Sequence, residues 1–310
     1  MSNPLKIIFA GSGEFGLPTL RALRAANHEI LQIFTQPDRP AGRGRKLTPT
    51  PIGQYALNEK LPLIPTQNIN AEKLPAADVM VVIAFGQKIA DPVVHHPKFG
   101  SINLHASLLP KYRGAAPINA AILAGETIAG NSIIRLAKKM DAGEILAQSK
   151  LEIGELETAG ELHDRLAIDG APLMLSVLDS LAASVAKEQP QNESLATLAP
   201  KMSRDTTRLD WNLPAKELAQ KIRGLYPWPG CRVRLLDGQT ELARITLVRA
   251  RAIQSSSQNP GSIDSNLAIA TQTGSLEIIE LQPEGKRPMP LAAYRNGHRW
   301  EPGLRIESIT

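Results

Sequence analysis

An amide and an imidazole two residues apart are the strongest candidates for catalysis in this sequence. Asn103 and His105 lie in the segment INLHASLLPKYRGAAP, at the end of a predicted strand. Alternate side chains of a strand project from the same face, so the two groups should lie together. The amide could hydrogen-bond a developing oxyanion, and the imidazole could take or give a proton near neutral pH. Taken alone, an Asn-x-His pair is more often structural than catalytic.

Asp141 supplies a carboxylate that could complete this site. It precedes Ala-Gly in a predicted tight loop, after a strand predicted over residues 132–136. A carboxylate brought near His105 would orient its ring, and the alternative is an ordinary turn residue. Without a paired Ser or Cys nucleophile, the three groups favour direct transfer to an incoming nucleophile, although Ser107 lies close in the sequence.

Composition excludes several classes of protein. The chain has 310 residues, of which 43% are hydrophobic, so a packed core is expected. A single cysteine, Cys231, excludes an intramolecular disulfide and a multi-cysteine zinc site, and the histidines have no metal-site spacing. No apolar run reaches the roughly 18 residues that span a bilayer. These features predict a soluble cytoplasmic protein.

Charge is distributed unevenly along the chain. Residues 1–150 carry 17 basic and 10 acidic side chains, residues 151–206 carry 4 and 10, and residues 207–310 carry 14 and 10. Two basic surfaces could hold a polyanion such as a nucleic acid. A solvated surface of mixed charge is the alternative.

The elements that must position the candidate groups form an α/β pattern. Apolar runs predict strands that alternate with helical segments, at Leu5–Ala10, Glu29–Phe34, Asp78–Phe85 and Ser101–Leu104. This alternation predicts a doubly wound, mostly parallel, Rossmann-like sheet. Ligands bind at the carboxyl ends of the strands in such sheets, where Asn103 and His105 lie.

A change in composition predicts a second domain. We predict a catalytic domain over residues 1–189, a polar linker over 190–206 and a β-barrel domain over 207–310. Five arginines alternate along two of its predicted strands and could make a positive face: Arg232, Arg234, Arg244, Arg249 and Arg251.

A glycine motif near the start suggests a competing function. Gly11, Gly13 and Gly16 fit G-x-G-x-x-G between a strand and a helix, and Asp38 follows the second strand. This arrangement is typical of dinucleotide binding. Asp38 lies in a long basic loop, however, and hydride transfer gives no reason for the segment around His105. A tight strand-to-helix turn is therefore the favoured interpretation.

The sequence resembles the folate-dependent formyltransferases. The segment INLHASLLPKYRGAAPINAAI, together with MDAGEI at residues 140–145, is similar to their catalytic core. The match to their tRNA-dependent branch runs nearly end to end, through FTQPDRPAGRGRKLTPTPI, VVIAFGQKIADPVV and RLDWNLPAKELAQKIRGLYPWPG. The basic loop and the second domain are specific to that branch, in which the second domain is an OB-like barrel.

The resemblance implies direct transfer of a formyl group from 10-formyltetrahydrofolate to the α-amino group of methionine on initiator tRNA. It implies a catalytic triad of Asn103, His105 and Asp141 that needs no metal. It also implies folate contacts from Ala84, Phe85, Gly86, Gln87, Ser107, Leu108, Leu109 and Pro110. The implied tRNA contacts are Arg39, Arg43, Arg45 and Lys46 in the basic loop. A monomer without an obligate protein partner or membrane association is expected.

Some positions depart from the pattern of the branch. Ser12-Gly13-Glu14 stands where Thr-Pro usually precedes the acidic residue, and Ala84-Phe85-Gly86 lacks the usual tyrosine hydroxyl. Neither change removes a catalytic group. The remaining alternatives are a sugar-nucleotide formyltransferase, a formyltetrahydrofolate hydrolase and a non-enzymatic RNA-binding protein on the same fold.

Overall fold

The computed structural model describes residues 4–26, 28–41, 44–254 and 259–309. The chain forms two compact units. The first contains the residues up to Gly114, with Ala129–Leu151 and His163–Leu198. The second contains Ala115–Ile128, Glu152–Leu162 and the residues from Ala199 onward. Two short segments from the range predicted for the catalytic domain thus belong to the second unit, and the predicted domain boundaries stay a prediction.

Strands account for most of the regular structure in both units. In chain order, the strands of the described residues are β1 (Lys6–Gly11), β2 (Glu29–Thr35), β3 (Arg39–Ala41), β4 (Lys46–Thr48), β5 (Leu63–Pro65), β6 (Val79–Ile83), β7 (Ser101–His105), β8 (Arg113–Gly114), β9 (Ile128–Arg135), β10 (Ile145–Glu152), β11 (Leu198–Ala199), β12 (Cys231–Asp237), β13 (Thr240–Ile253), β14 (Ile269–Ala270), β15 (Ser275–Pro283), β16 (Met289–Pro290) and β17 (Arg305–Ile309).

Helices follow most of the strands of the first half. In chain order, the α-helices of the described residues are α1 (Leu17–Ala25), α2 (Pro51–Asn58), α3 (Asp91–Val94), α4 (Pro117–Leu123), α5 (Ala159–Ala182), α6 (Ala215–Gly224) and α7 (Leu291–Tyr294). No helix of these residues combines the length and the apolar character that crossing a membrane requires.

The first unit contains a seven-stranded sheet in the order β10-β9-β7-β6-β1-β2-β5. The pairs from β7 through β5 run parallel, and β9 runs antiparallel to β7. Every residue of β6 is buried, as expected for an apolar run in a sheet that is covered on both faces. The prediction of a mostly parallel sheet is confirmed. Strand order reverses between β1 and β6, which creates a crevice of the kind where ligands bind in such sheets.

Among the described residues, the second unit contains a six-stranded sheet whose strands pair antiparallel. Its main path is β14-β15-β13-β12-β17, and β16 pairs with β15. Ser262 bridges to Arg305 on one edge strand, and Ile263 bridges to Ile269 on the other. These two bridges join both ends of the path, which gives the sheet a barrel-like closure. The prediction of a C-terminal β-rich domain is confirmed.

Candidate active site

Asn103 and His105 lie on β7, between β6 and β9. Asn103 is in register with Val82 of β6 and with Ile134 of β9. Two positions along the strand separate it from His105, so both side chains project from one face of the sheet. The His105 ring is buried, whereas Asn103 is half-buried. The strand therefore presents an amide that solvent or a ligand can reach beside a ring held in the protein.

Two groups fix the His105 ring. Its Nε2 lies 2.9 Å from the backbone carbonyl oxygen of Tyr112. A carbonyl oxygen can only accept, so this contact assigns the ring hydrogen to Nε2. The Nδ1 atom lies 3.7 Å from Oδ2 of Asp141, beyond hydrogen-bond distance but within the range of an ion pair. In the neutral ring, Nδ1 is therefore the basic atom, and it faces the carboxylate.

The loop between β9 and β10 holds Asp141 in an unusual conformation. Its backbone has φ of 51°, in the left-handed region, where a non-glycine residue is uncommon. Its Oδ2 accepts a 2.8 Å hydrogen bond from the Gly114 amide. A Cβ atom on Gly143 would lie 2.0 Å from the Arg135 carbonyl oxygen, so only glycine fits this close approach to β9. The glycine of Asp-Ala-Gly thus has a steric cause.

Hydrogen bonds to Lys111 and to Ser132 hold the segment Ser107–Pro110 in place. The Ser107 hydroxyl is buried and donates to the Lys111 carbonyl at 2.7 Å. Ser132 of β9 donates to the Ser107 carbonyl at 2.6 Å and accepts from the Leu109 amide at 3.0 Å. Because the Ser107 hydroxyl is bonded to a carbonyl rather than to a base, the geometry favours a structural role for it over a nucleophilic one. Sequence reasoning missed Ser132.

The segment Ala84–Gln87 follows β6. Ala84 and Gly86 are exposed and have φ of 46° and 78°. Phe85 is buried, and its carbonyl accepts from Ser12 Oγ and Gln36 Nε2. The Gln87 side chain bonds to the main chain of Thr66 and Ile69. The segment therefore exposes main chain at the carboxyl end of β6, while the Phe85 side chain is buried and the Gln87 side chain is hydrogen-bonded.

The basic loop contains a two-stranded hairpin, β3 with β4. Arg39, Arg45 and Lys46 are exposed on it, and Arg39 donates to Gln36 Oε1 at 3.2 Å. Arg43, also predicted to contact tRNA, lies outside the described residues. Asp38, the acidic residue of the supposed dinucleotide motif, is exposed just before β3.

The first glycine of the G-x-G-x-x-G motif has a packing explanation. A Cβ atom on Gly11 would lie 2.7 Å from the Phe9 ring and 2.9 Å from the Ile83 carbonyl oxygen. A short 3₁₀ turn at Glu14–Gly16 then leads into α1. Close packing of β1 against β6 accounts for Gly11 without a nucleotide.

The arginines of the second unit do not form the predicted positive face. Four of the five are paired with carboxylates, in the pairs Arg234–Glu307, Arg244–Glu241, Arg249–Glu161 and Arg251–Glu277. Their charges are neutralised locally. The sequence could not reveal this, because three of these partners are distant in the chain.

A cluster of polar residues behind Asp141 was also missed by the sequence reasoning. Arg113 is buried, and its guanidinium binds Gln191 and Glu193 at 2.7 Å each. Hydrogen bonds from Arg113, and then from Lys139, lower the pKa of the Glu193 carboxyl to about 2. Gln191 and Glu193 lie in a proline-flanked polar segment that composition assigns to a linker. No signal in a single sequence identifies their partners.

No group of three or more His, Cys, Asp or Glu side chains in the described part of the chain could hold a metal ion. The site is thus an amide, an imidazole and a carboxylate at the carboxyl edge of the sheet. Such a set can stabilise an oxyanion and move a proton.

Two family models match the chain and define its class. Residues 5–178 match the formyl transferase model, and residues 201–299 match the model of the formyl transferase C-terminal domain. Together they cover both the site and the β-rich domain, so the fold is that of a formyl transferase.

Curated relatives narrow the class. A methionyl-tRNA formyltransferase from Methylococcus capsulatus is 41% identical over 95% of this chain and 97% of its own length. Another from Stutzerimonas stutzeri is 39% identical over 98% and 99%. The chain belongs to the methionyl-tRNA formyltransferase family.

A solved structure supports the fold independently. HypX from Aquifex aeolicus in complex with tetrahydrofolic acid superposes with a TM-score of 0.62 at 17% identity. The match covers 94% of this chain and 47% of HypX. At that identity, the likeness concerns the fold alone.

Proposed function

We propose that this enzyme transfers the formyl group of 10-formyltetrahydrofolate to the α-amino group of methionyl initiator tRNA. One observation carries the proposal: the conjunction of Asn103, His105 Nδ1 and the Asp141 carboxylate at the carboxyl edge of the sheet. It occurs in a chain that is similar over nearly its whole length to methionyl-tRNA formyltransferases.

His105 exchanges its proton at Nδ1 in this proposal. The Nε2 hydrogen is donated to the Tyr112 carbonyl. Nδ1 is therefore the ring nitrogen that can accept the proton that the attacking amine loses. The resulting imidazolium lies 3.7 Å from the Asp141 carboxylate, whose charge stabilises it in a buried setting. Asp141 therefore assists removal of the amine proton indirectly, by stabilising the protonated ring.

Asn103 stabilises the oxyanion. Attack of the amine on the formyl carbon moves negative charge onto the formyl oxygen, and the Asn103 amide donates a hydrogen bond to it. The half-buried position of Asn103 suits this role, because the group must reach the substrate. The amine attacks the formyl carbon directly, so no acyl-enzyme forms. Collapse of the tetrahedral intermediate breaks the bond between the formyl carbon and N10 of the folate, and the His105 imidazolium returns its proton to that nitrogen.

The folate would lie against the segments that follow β6 and β7. 10-Formyltetrahydrofolate supplies the formyl group when it is bound. The exposed main chain at Ala84 and Gly86 fits the amide-like edge of a flat heterocycle. We assign the remaining contacts to Phe85, Gln87, Ser107, Leu108, Leu109 and Pro110. The tetrahydrofolate in HypX supports this placement only through the shared fold.

The basic hairpin would bind the acceptor end of the tRNA. Arg39, Arg45 and Lys46 are exposed there, and Arg43 continues the basic run in the sequence. Arginines in this setting contact phosphates and stack on unpaired bases. The predicted division at residues 189 and 207, a monomeric state and a cytoplasmic location belong to the same proposal.

The decisive experiment measures formyl transfer from 10-formyltetrahydrofolate to initiator methionyl-tRNA. Elongator methionyl-tRNA and a reaction without tRNA are the controls. Formylation of the initiator tRNA alone is the expected result. Consumption of the donor without tRNA would indicate a hydrolase, and binding of tRNA without transfer would indicate a non-enzymatic RNA-binding protein.

A further inference from the structure

The side chain of Gln191 contacts the loop that carries Asp141. Its Nε2 donates 2.8 Å hydrogen bonds to the backbone carbonyls of Asp141 and Gly143. Both donor hydrogens of the amide are thereby used on one turn. The turn needs such an anchor, because Asp141 has a left-handed backbone that is rarely adopted without support.

The other end of the same amide is held by Arg113. Oε1 of Gln191 accepts from Nε and Nη2 of Arg113, at 3.1 and 2.7 Å. Glu193 binds the same guanidinium through two further hydrogen bonds, at 3.1 and 2.7 Å. The Gln191 amide therefore has one orientation, with its oxygen on the guanidinium and its nitrogen on the Asp141 turn.

Arg113 is also joined to the carboxylate through its neighbour in the chain. The amide of Gly114, the next residue, donates to Oδ2 of Asp141 at 2.8 Å. The Arg113 amide donates to the Thr197 carbonyl, which fixes that stretch of backbone. Gln191 thus ties the backbone of the Asp141 turn to the segment that holds the Asp141 carboxylate.

We propose that Gln191 is a positioning residue, which holds the Asp141 carboxylate opposite Nδ1 of His105. This proposal rests on the function proposed above. Gln191 does not touch the reacting atoms in our assignment. A displacement of about 1 Å in a catalytic group can lower a rate by roughly 100-fold, so the loss of two anchoring bonds should lower turnover.

Gln191→Glu separates positioning from mere packing. Glutamate keeps the oxygen that Arg113 binds and forms a stronger pair with it, but it cannot donate to the two carbonyls. Gln189→Glu is the matched control. Gln189 is exposed two positions earlier and holds Ile145 through its backbone alone, so the control adds the same charge without changing the turn.

We expect Gln191→Glu to lower kcat by about 10- to 100-fold while the KM for folate and for tRNA change by less than about twofold. Gln189→Glu should match the unmodified enzyme. Hydrogen exchange of the Gly114 amide should also be about 10-fold faster in Gln191→Glu, because its acceptor on Asp141 becomes mobile. Kinetics are compared well below the melting temperature of each variant.

Two results would overturn the proposal. One is a kcat in Gln191→Glu equal to that of Gln189→Glu, which would mean that the contact with Arg113 suffices. The other is unchanged exchange at Gly114. The exchange measurement needs no substrate. If the unmodified protein transfers no formyl group, the proposed function fails, and exchange at Gly114 alone decides whether Gln191 holds the turn.

Discussion

One arginine of the first unit and two of the second show how position changes the role of a guanidinium. In the first, Arg113 is almost fully buried, with 3% of its side chain exposed, and its contacts lead to the Asp141 turn. In the second, Arg234 and Arg251 lie on strand surfaces with 46% and 47% exposed, each paired with a glutamate on a neighbouring strand.

The difference is one of environment rather than of residue type. Water screens an exposed pair, so it contributes little to stability and mainly removes net charge from the surface. A buried guanidinium must satisfy its donors within the protein, and its partners are therefore fixed. Because it is buried, Arg113 fixes the positions of its partners. Because they are exposed, Arg234 and Arg251 contribute little to the stability of the sheet.

The largest effect should come from the three groups at the sheet edge. Asn103→Ala and Asp141→Ala should each lower kcat by about 100- to 1,000-fold, because each removes a contact that stabilises charge in the transition state. Binding of initiator tRNA, measured by filter retention, should persist. The exposed Asn58→Ala serves as a control for loss of an amide. A variant at Asn103 or Asp141 with near-normal turnover would remove that residue from the mechanism.

Stability tests the comparison of arginines directly. Arg113→Met should lower the free energy of unfolding by about 2–3 kcal/mol, since it removes the donors to the half-buried Gln191 oxygen and the partner of the Glu193 carboxylate. Arg251→Met should change it by less than about 1 kcal/mol. Urea unfolding followed by fluorescence measures both. Equal losses in the two variants would show that burial does not distinguish Arg113 from Arg251.

The basic hairpin offers exposed arginines with a different task. Arg45→Ala should lower kcat/KM for tRNA by about 10-fold, or roughly 1.4 kcal/mol, with little change in folate affinity. Arg43→Ala should behave similarly. The effect should shrink at high salt, because phosphate contacts are screened. Lys73→Ala, another exposed cation, is the control, and unchanged tRNA kinetics would assign the loop to ordinary solvated surface.

The smallest effect concerns Arg249, whose side-chain exposure lies between those of Arg113 and Arg251. Its hydrogen bond holds the pKa of the Glu161 carboxyl at about 2, below the ordinary value of 4.5. A lowered carboxyl pKa stabilises the fold above pH 4.5, and this stabilisation is lost as the pH falls towards 2. Glu161 is half-exposed, so its contribution should be about 1 kcal/mol.

Glu161→Gln checks this expectation. Its free energy of unfolding should lie below that of the unmodified protein at pH 6, and the difference should shrink as the pH falls to 3. A difference that is independent of pH would show that the charge of Glu161 does not contribute.

The parts of the fold that the sequence predicts are those with a local cause. The buried run of β6 and the alternating strand β15 are readable because side-chain periodicity follows directly from strand geometry. Asn103 and His105 are likewise near each other by spacing alone. Their proposed partner Asp141 was found from turn chemistry and from the resemblance to the formyltransferases.

Residues with distant partners escaped prediction. Gln191 reads as part of a polar linker, since its bonds are with residues about 50 and 78 positions away. The arginines of the second unit suggest a positive face until their glutamate partners are known. Such pairings depend on strand order and loop path, which a single sequence does not display.

The sequence by itself determined the alternation of strands and helices, the β-rich end of the chain and the types of group available for catalysis. Tertiary structure alone decided which nitrogen of His105 faces Asp141, because a carbonyl seven residues along the chain occupies the other. It also decided that Arg113 is buried and Arg251 is not. The physical reason is the same in each case: hydrogen-bond partners and solvent exposure are properties of positions in space, and identical side chains acquire different chemistry from them.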